Sequence, residues 1–210
     1  MIFLPIVPDS KVAVKNIIQK HKPTSAINGT YFVRKTFLPV SDIMIDKKTY
    51  TNVRLGTAMG ITSTNEIQFR DAHEKKNYNW SYDFTHVLVG GPRLLTDGQI
   101  TCYPTVEGFT YGGGIFGKRN RSCVATTASG YLAFITVKQG IYLSDLAKAL
   151  KIIGFSNAMN LDGGSSSLLY YRGAMVTGSQ GLVANNVLAA YENADFWWER
   201  WKSYIPDPNW

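Results

Sequence analysis

The sequence predicts an α+β fold: one domain with a large mixed β-sheet system and a few packed helices. Three observations predict it. Short apolar or alternating runs recur along almost the whole chain, turn dipeptides separate several of them, and only two segments carry the spacing of a helix face. No composition shift marks a linker and no repeat interrupts the pattern, so residues 1–210 read as one domain.

Taken in order, the strand-like runs cover residues 2–7, 24–27, 54–61, 66–70, 86–89, 93–96, 99–102, 123–127, 131–137, 158–161, 167–171, 174–177 and 187–191. Asp97-Gly98, Ser129-Gly130 and Arg172-Gly173 join neighbouring runs in the manner of two-residue hairpin turns. One helix is predicted over residues 12–19 and a second over 144–153. In the second, Leu143, Leu146, Ala147, Leu150 and Ile153 share a face, Ser144 is placed to cap the start and Gly154 to stop the end. Residues 193–210 form an aromatic tail with Phe196, Trp197, Trp198, Trp201 and Tyr204. If it is helical, Trp197, Trp201 and Tyr204 lie together, to dock on the domain, to join copies into a homo-oligomer or to offer a stacking surface.

A chain of 210 residues, 45% hydrophobic and 18% charged, has ample length to bury a core. Its formal charge of +7 favours anionic partners, but lysine and arginine are scattered apart from Lys118-Arg119-Asn120-Arg121. That pattern suits a small sugar-phosphate or nucleotide-like ligand better than nucleic acid, which calls for a basic stripe or arm. Cys102 and Cys123 are too few for a disulfide framework; they form one bridge or stay as small apolar thiols. No Cys and His pattern has metal-ligand spacing, and His21, His73 and His86 are far apart, so no cofactor is expected, with a bound divalent cation left open. The apolar start Met1-Ile2-Phe3-Leu4 lacks a basic leader and no run reaches membrane-span length, so a cytoplasmic protein or a virion component without a membrane partner is expected.

The most informative segment is Asn160-Leu161-Asp162-Gly163-Gly164-Ser165-Ser166-Ser167. A carboxylate sits where a short buried strand meets paired glycines and hydroxyls. Glycines let the backbone approach a ligand and turn N–H groups towards an anion, although Asp, Gly and Ser also close ordinary turns. Three more glycine-centred or arginine-bearing segments follow strands or open them: Ala26-Ile27-Asn28-Gly29-Thr30-Tyr31-Phe32, Val89-Gly90-Gly91-Pro92-Arg93 and Arg119-Asn120-Arg121-Ser122-Cys123. Asn185-Asn186-Val187-Leu188 closes the series.

In this order the motifs resemble those of the phosphodiester glycosidase family over about residues 24 to 191. The chain departs from that pattern in three places. Thr30-Tyr31 stands where a second glycine and a phenylalanine are usual, Ser122-Cys123 replaces Thr-Ala, and Ser165 replaces a third glycine. The resemblance implies hydrolysis of a glycosyl or nucleoside-sugar phosphodiester at the anomeric carbon. Phosphate departs as a stable anion, so the site needs less acid assistance than ordinary glycosides do. It implies Arg121 gripping the phosphate, Asp162 acting at the sugar as nucleophile, base or electrostatic stabiliser, and Asn28 orienting a hydroxyl or water. Gly29, Gly90, Gly91, Gly163, Gly164, Ser165, Ser166 and Asn186 are the implied substrate-binding residues. Glu107 and Asp97 are candidates for a second carboxylate, Asp97 being better placed as a turn residue. Two other classes remain open: a binding module that sequesters a phosphosugar or nucleotide without turnover, and a structural part of a phage or surface assembly.

Overall fold

The computed structural model describes residues 1–73, 78–111 and 114–192; the aromatic segment 193–210 lies outside the described residues. The chain begins with β1 (Ile2–Ile6), β2 (Val12–Ala13), helix α1 (Val14–His21), β3 (Ser25–Asn28), β4 (Ile43–Ile45), β5 (Lys48–Thr51), β6 (Thr57–Ile61) and β7 (Ile67–Asp71). It continues with β8 (His86–Gly90), β9 (Arg93–Thr96), β10 (Gln99–Ile100), β11 (Arg119–Thr126), β12 (Leu132–Ile141) and helix α2 (Leu143–Ile153). The last elements are β13 (Asn157–Asn160), β14 (Leu169–Tyr171), β15 (Ala174–Thr177), β16 (Val183–Ala184) and β17 (Val187–Tyr191).

Three five-stranded sheets carry the fold, ordered β1-β17-β3-β14-β15, β10-β9-β13-β11-β12 and β5-β4-β8-β6-β7, with a small β16-β2 pair beside them. The α+β class stands, but the mixed pairing expected from the sequence does not: every pairing among the described strands is antiparallel. The reason is local. Among the described residues five hairpins (β4–β5, β6–β7, β9–β10, β11–β12 and β14–β15) seed the sheets, and α2 carries the chain from β12 to β13, which flank β11 on either side and never pair.

Residues from all three sheets meet in one core: Ile27 and Leu188, Val124 and Met159, and Ile43, Met59 and Leu88. Helix α2 lays Leu143, Leu146, Ala147 and Leu150 on Leu94, Leu95, Cys123 and Ala158, the face its spacing predicts. Gly154 closes it in the left-handed region at φ 100°, with Phe155 N–H reaching Leu150 O at 3.1 Å. Ser144 does not cap it. The chain enters α2 directly from β12 through Tyr142, which makes no side-chain cap, and Ser144 lies inside the first turn. Helix α1 starts two residues later than expected because Val12 and Ala13 pair with β16. The Asp97-Gly98 and Arg172-Gly173 turns have positive φ at both positions, imposed by the turn on Asp97 and Arg172 and free of cost at the glycines. Ser129-Gly130 instead sits in a longer loop closed by Thr127 N–H to Tyr131 O at 3.0 Å, with positive φ at Gly130 alone. Cys102 and Cys123 are free thiols. Among the described residues, no helix is long and apolar enough to cross a membrane.

Gly60, in the middle of β6, shows how tightly the sheets close. A Cβ there would stand 2.5 Å from the ring of Phe84, a buried side chain. Gly60→Ala is expected to lose roughly 1–3 kcal/mol of stability by urea unfolding, the usual cost of overpacking. Adding Phe84→Leu should restore part of the loss; a double variant no better than the sum of the two would show that the ring is not the obstacle.

Candidate active site

Strand register builds the site. Cys123 faces Asn160 in the antiparallel β11–β13 pair, and Leu161 N–H continues it by donating to Ser122 O at 2.8 Å. Arg121 and Asp162 follow just beyond the last paired residues, Cys123 and Asn160. Both line a cavity of about 430 Å³, together with Tyr31, Arg34, Arg119, Asn160 and residues 163–166.

Asp162 is held from both sides. Its N–H donates to Gly29 O at 3.1 Å and its own carbonyl accepts from Asn28 Nδ2 at 2.6 Å. Its carboxylate accepts from Gly163 N–H at 2.8 Å and from the Ser166 hydroxyl. Burial pushes the carboxyl above its ordinary range, while those two hydrogen bonds and the charge of Arg34 pull it back down. Among the described residues no cation lies within ion-pair distance of it.

Arg121 is 3% exposed, and it has no carboxylate partner either. Its Nε donates to Ile141 O at 3.1 Å, and its Nη2 donates to Ile115 O at 3.1 Å and to Gly117 O. Only Nη1 is left for a ligand, so the guanidinium is a fixed charge rather than an open fork. The Tyr31 hydroxyl donates to Gly91 O and accepts from Asn160 Nδ2 at 2.6 Å. Burial, then the charge of Asp162, drives its pKa upward and Arg121 opposes this, so the phenol stays neutral between the two charges.

Of the residues singled out in the sequence, Asp162, Arg121, Gly163, Gly164, Ser165 and Ser166 come together at the cavity. Asn28, Gly29, Gly90, Gly91 and Asn186 do not line it; they stand behind it. Asn28 is spent on the frame, with Oδ1 accepting from Ser122 Oγ at 2.7 Å and from Leu168 N–H at 2.9 Å. Asn186 Oδ1 accepts from Thr30 N–H at 2.8 Å, and a Cβ on Gly29 would lie 1.7 Å from that oxygen. Gly91 N–H is already given to Asn160 O at 2.7 Å, and Gly163 N–H to Asp162, which removes both as phosphate donors. A Cβ on Gly90 would press on Asn160 O at 2.8 Å.

Glu107 lines a different cavity of about 300 Å³ with Asp71 and Arg93. There it accepts from Thr57 Oγ1 and Arg93 N–H, both at 2.6 Å, and burial pushes it up to about 7. Asp97 is a hairpin residue at φ 48°. Sequence reasoning missed Tyr31, Arg34, Arg119 and Asn160 as cavity residues. All but Arg34 stand inside the quoted motifs, but nothing in their identity separates lining from frame. Among the described residues, no group of three or more His, Cys, Asp or Glu is placed to hold a metal ion.

The sequence profile of the phosphodiester glycosidase family matches residues 21–195, so the chain belongs to that family. No curated protein matches it. Among solved structures it is similar to the catalytic domain of zebrafish N-acetylglucosamine-1-phosphodiester alpha-N-acetylglucosaminidase auto-inhibited by its pro-peptide. That match has 21% identity and a TM-score of 0.74, over 91% of this chain and 72% of the other. A hypothetical protein from Synechocystis matches at 15% identity and TM-score 0.72, over 89% of this chain and 56% of that one. An exported protein of Burkholderia pseudomallei K96243, described as putative in its own right, matches at 12% identity and TM-score 0.70, over 90% and 71%. At these identities the likeness is one of fold.

The Asn28 side chain offers a direct test of the frame. Asn28→Asp keeps its shape and both acceptor bonds but replaces the donor to Asp162 O with a second acceptor. A loss of roughly 1–3 kcal/mol is expected, the cost of an unpaired buried group. Ser122→Ala should lose less, about 0.5–1.5 kcal/mol. Additive losses in the double variant would mean that the two side chains do not act through one network.

Proposed function

We propose that this member of the phosphodiester glycosidase family hydrolyses a glycosyl phosphodiester at the anomeric carbon, with the phosphate against Arg121 and the sugar against Asp162. One observation carries the reading. A buried guanidinium and a carboxylate, neither with an ionic partner among the described residues, line one cavity just past the end of the β11–β13 pairing. A buried charge without a counter-ion costs several kcal/mol, and is kept where a ligand supplies the counter-charge.

The chemistry balances with the groups present. The oxygen of water bonds to the anomeric carbon as the carbon–oxygen bond to phosphate breaks, and the phosphomonoester leaves with the electron pair. Asp162 takes the proton of the water; in a two-step route its oxygen attacks first and water then releases the sugar. Either way Asp162 must be ionised, and Gly163 N–H and Ser166 hold the carboxylate in place for it. Arg121 Nη1 and its fixed charge stabilise the negative charge gathering on phosphate. Tyr31, whose proton is given to Gly91 O, supplies packing and orientation to Asn160.

Kinetics on a panel of sugar-1-phosphodiesters, followed by phosphomonoester release, test this. Asp162→Asn should turn over at least about a hundredfold more slowly. Its affinity for the sugar phosphate should be kept or raised, because a negative charge near the anion is gone. Arg121→Lys keeps the charge but loses the fork to the backbone, and should weaken both binding and stability. In the wild type kcat/KM should fall as pH falls through the pKa of Asp162. Since burial raises that pKa, the acid limb should lie above the ordinary aspartate value of about 4. Binding without turnover across the whole panel would favour a sequestering module.

A further inference from the structure

Three arginines line the cavity, and they are not equivalent. Arg121 has its Nε and Nη2 committed to backbone carbonyls, and Arg119 gives Nη1 to Lys118 O at 3.0 Å. Arg34 is exposed at the cavity, and among the described residues no hydrogen bond or ion pair holds its guanidinium. Its loop, in contrast, is pinned. Val33 N–H bonds Leu38 O at 2.9 Å, Phe37 N–H bonds Val33 O at 2.7 Å, and Val40 N–H bonds Tyr31 O at 2.9 Å, while Asn185 Nδ2 donates to Phe37 O. A fixed loop thus presents a guanidinium whose five donors are unspent, close enough to Asp162 for its charge to be felt there.

Charge adds a second argument. With Arg34, Arg119 and Arg121 against Asp162, the lining carries a net two positive charges. Arg121, buried and tied down, can give a phosphate one nitrogen. A planar fork able to take two phosphate oxygens at once must come from elsewhere; Arg34 offers all five donors unspent, whereas Arg119 has already given Nη1 to Lys118 O.

We propose that Arg34 is the ligand-facing phosphate grip of this site, and that the phosphate of the ligand and the carboxylate of Asp162 compete for it. In the free protein Arg34 lends its charge to Asp162. When a phosphate arrives the guanidinium turns to it, and Asp162 faces an added anion with less compensation, so its proton affinity rises on binding. The groups that act on Asp162 are the Ser166 hydroxyl, Gly163 N–H and the charge of Arg34, with Tyr31 close by. Arg119 and Arg121 line the same cavity, each with a backbone carbonyl already bonded, and Arg34 alone of the three has no hydrogen bond among the described residues. The inference rests on the reading that a phosphate occupies this cavity.

Calorimetry with inorganic phosphate and with glucose 1-phosphate at low salt, on wild type, Arg34→Ala, Arg34→Lys and the remote control Arg172→Ala, tests the grip. Arg172 is exposed and paired with Glu192 outside the cavity. Arg34→Ala should bind both ligands roughly tenfold to a hundredfold more weakly, Arg34→Lys should recover part of the loss, and Arg172→Ala should bind as wild type does. The coupling is read without catalysis, by NMR titration of the labelled Asp162 carboxylate. Arg34→Ala without ligand should titrate at higher pH than wild type, and so should wild type with phosphate bound. Unchanged affinity in Arg34→Ala overturns the grip, and an unmoved Asp162 titration overturns the competition. Wild type that binds phosphate through Arg34 but cleaves no phosphodiester leaves the grip standing and removes the hydrolase. Turnover and binding untouched by Arg34→Ala do the reverse.

Discussion

Everything at the site depends on how two backbone groups of Asp162 are held. Asn28 and Gly29 supply the partners: the Asn28 amide donates to the Asp162 carbonyl and the Gly29 carbonyl accepts its N–H. The same Asn28 oxygen takes Ser122 of β11 and the N–H of Leu168, so one buried side chain ties β3, β11 and the segment from 162 to 168 into a single frame. A carboxylate on a Gly-Gly turn would otherwise sample many orientations. Here the turn is clamped where it leaves the strand, and the freedom of the glycines is confined to residues beyond the carboxylate. The Asn185-Asn186 pair extends the clamp one layer back by fixing Thr30, which fixes Gly29.

Around this cavity the frame leaves electrostatic work unfinished. Asp42 shows what a purely structural buried carboxylate looks like: it pairs with Arg54 Nε at 3.1 Å, accepts from the N–H groups of Val53 and Arg54 and from Trp80 Nε1, and nothing is left over. Glu107 is likewise satisfied at both oxygens. Asp162 and Arg121 are not paired in that way. Three of the buried polar atoms without a partner, Thr30 Oγ1, Asn160 Oδ1 and Ser167 Oγ, belong to the segments that frame the same cavity. Unmet polar groups are tolerated where function demands them, and their concentration in this place agrees with the charge pattern.

Much of the fold was legible because its signals are local. Helix α2 follows from five apolar positions and a glycine stop, and the Asp97-Gly98 and Arg172-Gly173 hairpins from residues that accept positive φ. The hairpin between β4 and β5 was not seen, since Asp46-Lys47 turns it at φ 50° and 62° without a glycine to mark it. Arg54, at φ 62°, ends the run expected from residue 54 before it begins, and β6 starts at Thr57. The site was legible in its motifs but not in its depth. Asn28, Gly91 and Asn186 look like ligand-facing residues because polar and glycine positions beside turns serve both purposes. Only three-dimensional partners reveal that their hydrogen-bonding capacity is already used. Arg34 was missed for the opposite reason: it lies in a loop without a pattern, and what sets it apart is that no hydrogen bond holds its side chain among the described residues.

Asp162 is the one carboxylate lining the cavity among the described residues, and that fits a particular kind of bond. Ordinary glycosides leave as poor alkoxides, and enzymes that cleave them place a second carboxyl group to protonate the leaving oxygen. Among the described residues the other strong candidate, Glu107, opens on another cavity and is held by Thr57 and Arg93, so it cannot serve that role without dismantling its own contacts. Tyr31 cannot serve either, because its proton is given to Gly91 O and its pKa is driven up. What the cavity offers beside Asp162 is positive charge from arginines held differently, one buried and tied to backbone carbonyls, one on a pinned loop with no hydrogen bond among the described residues. Charge of that sign helps a group that departs already as an anion, and does nothing to protonate one that does not. The residue inventory of the cavity therefore supports the proposal that phosphate, rather than an alkoxide, is the departing group.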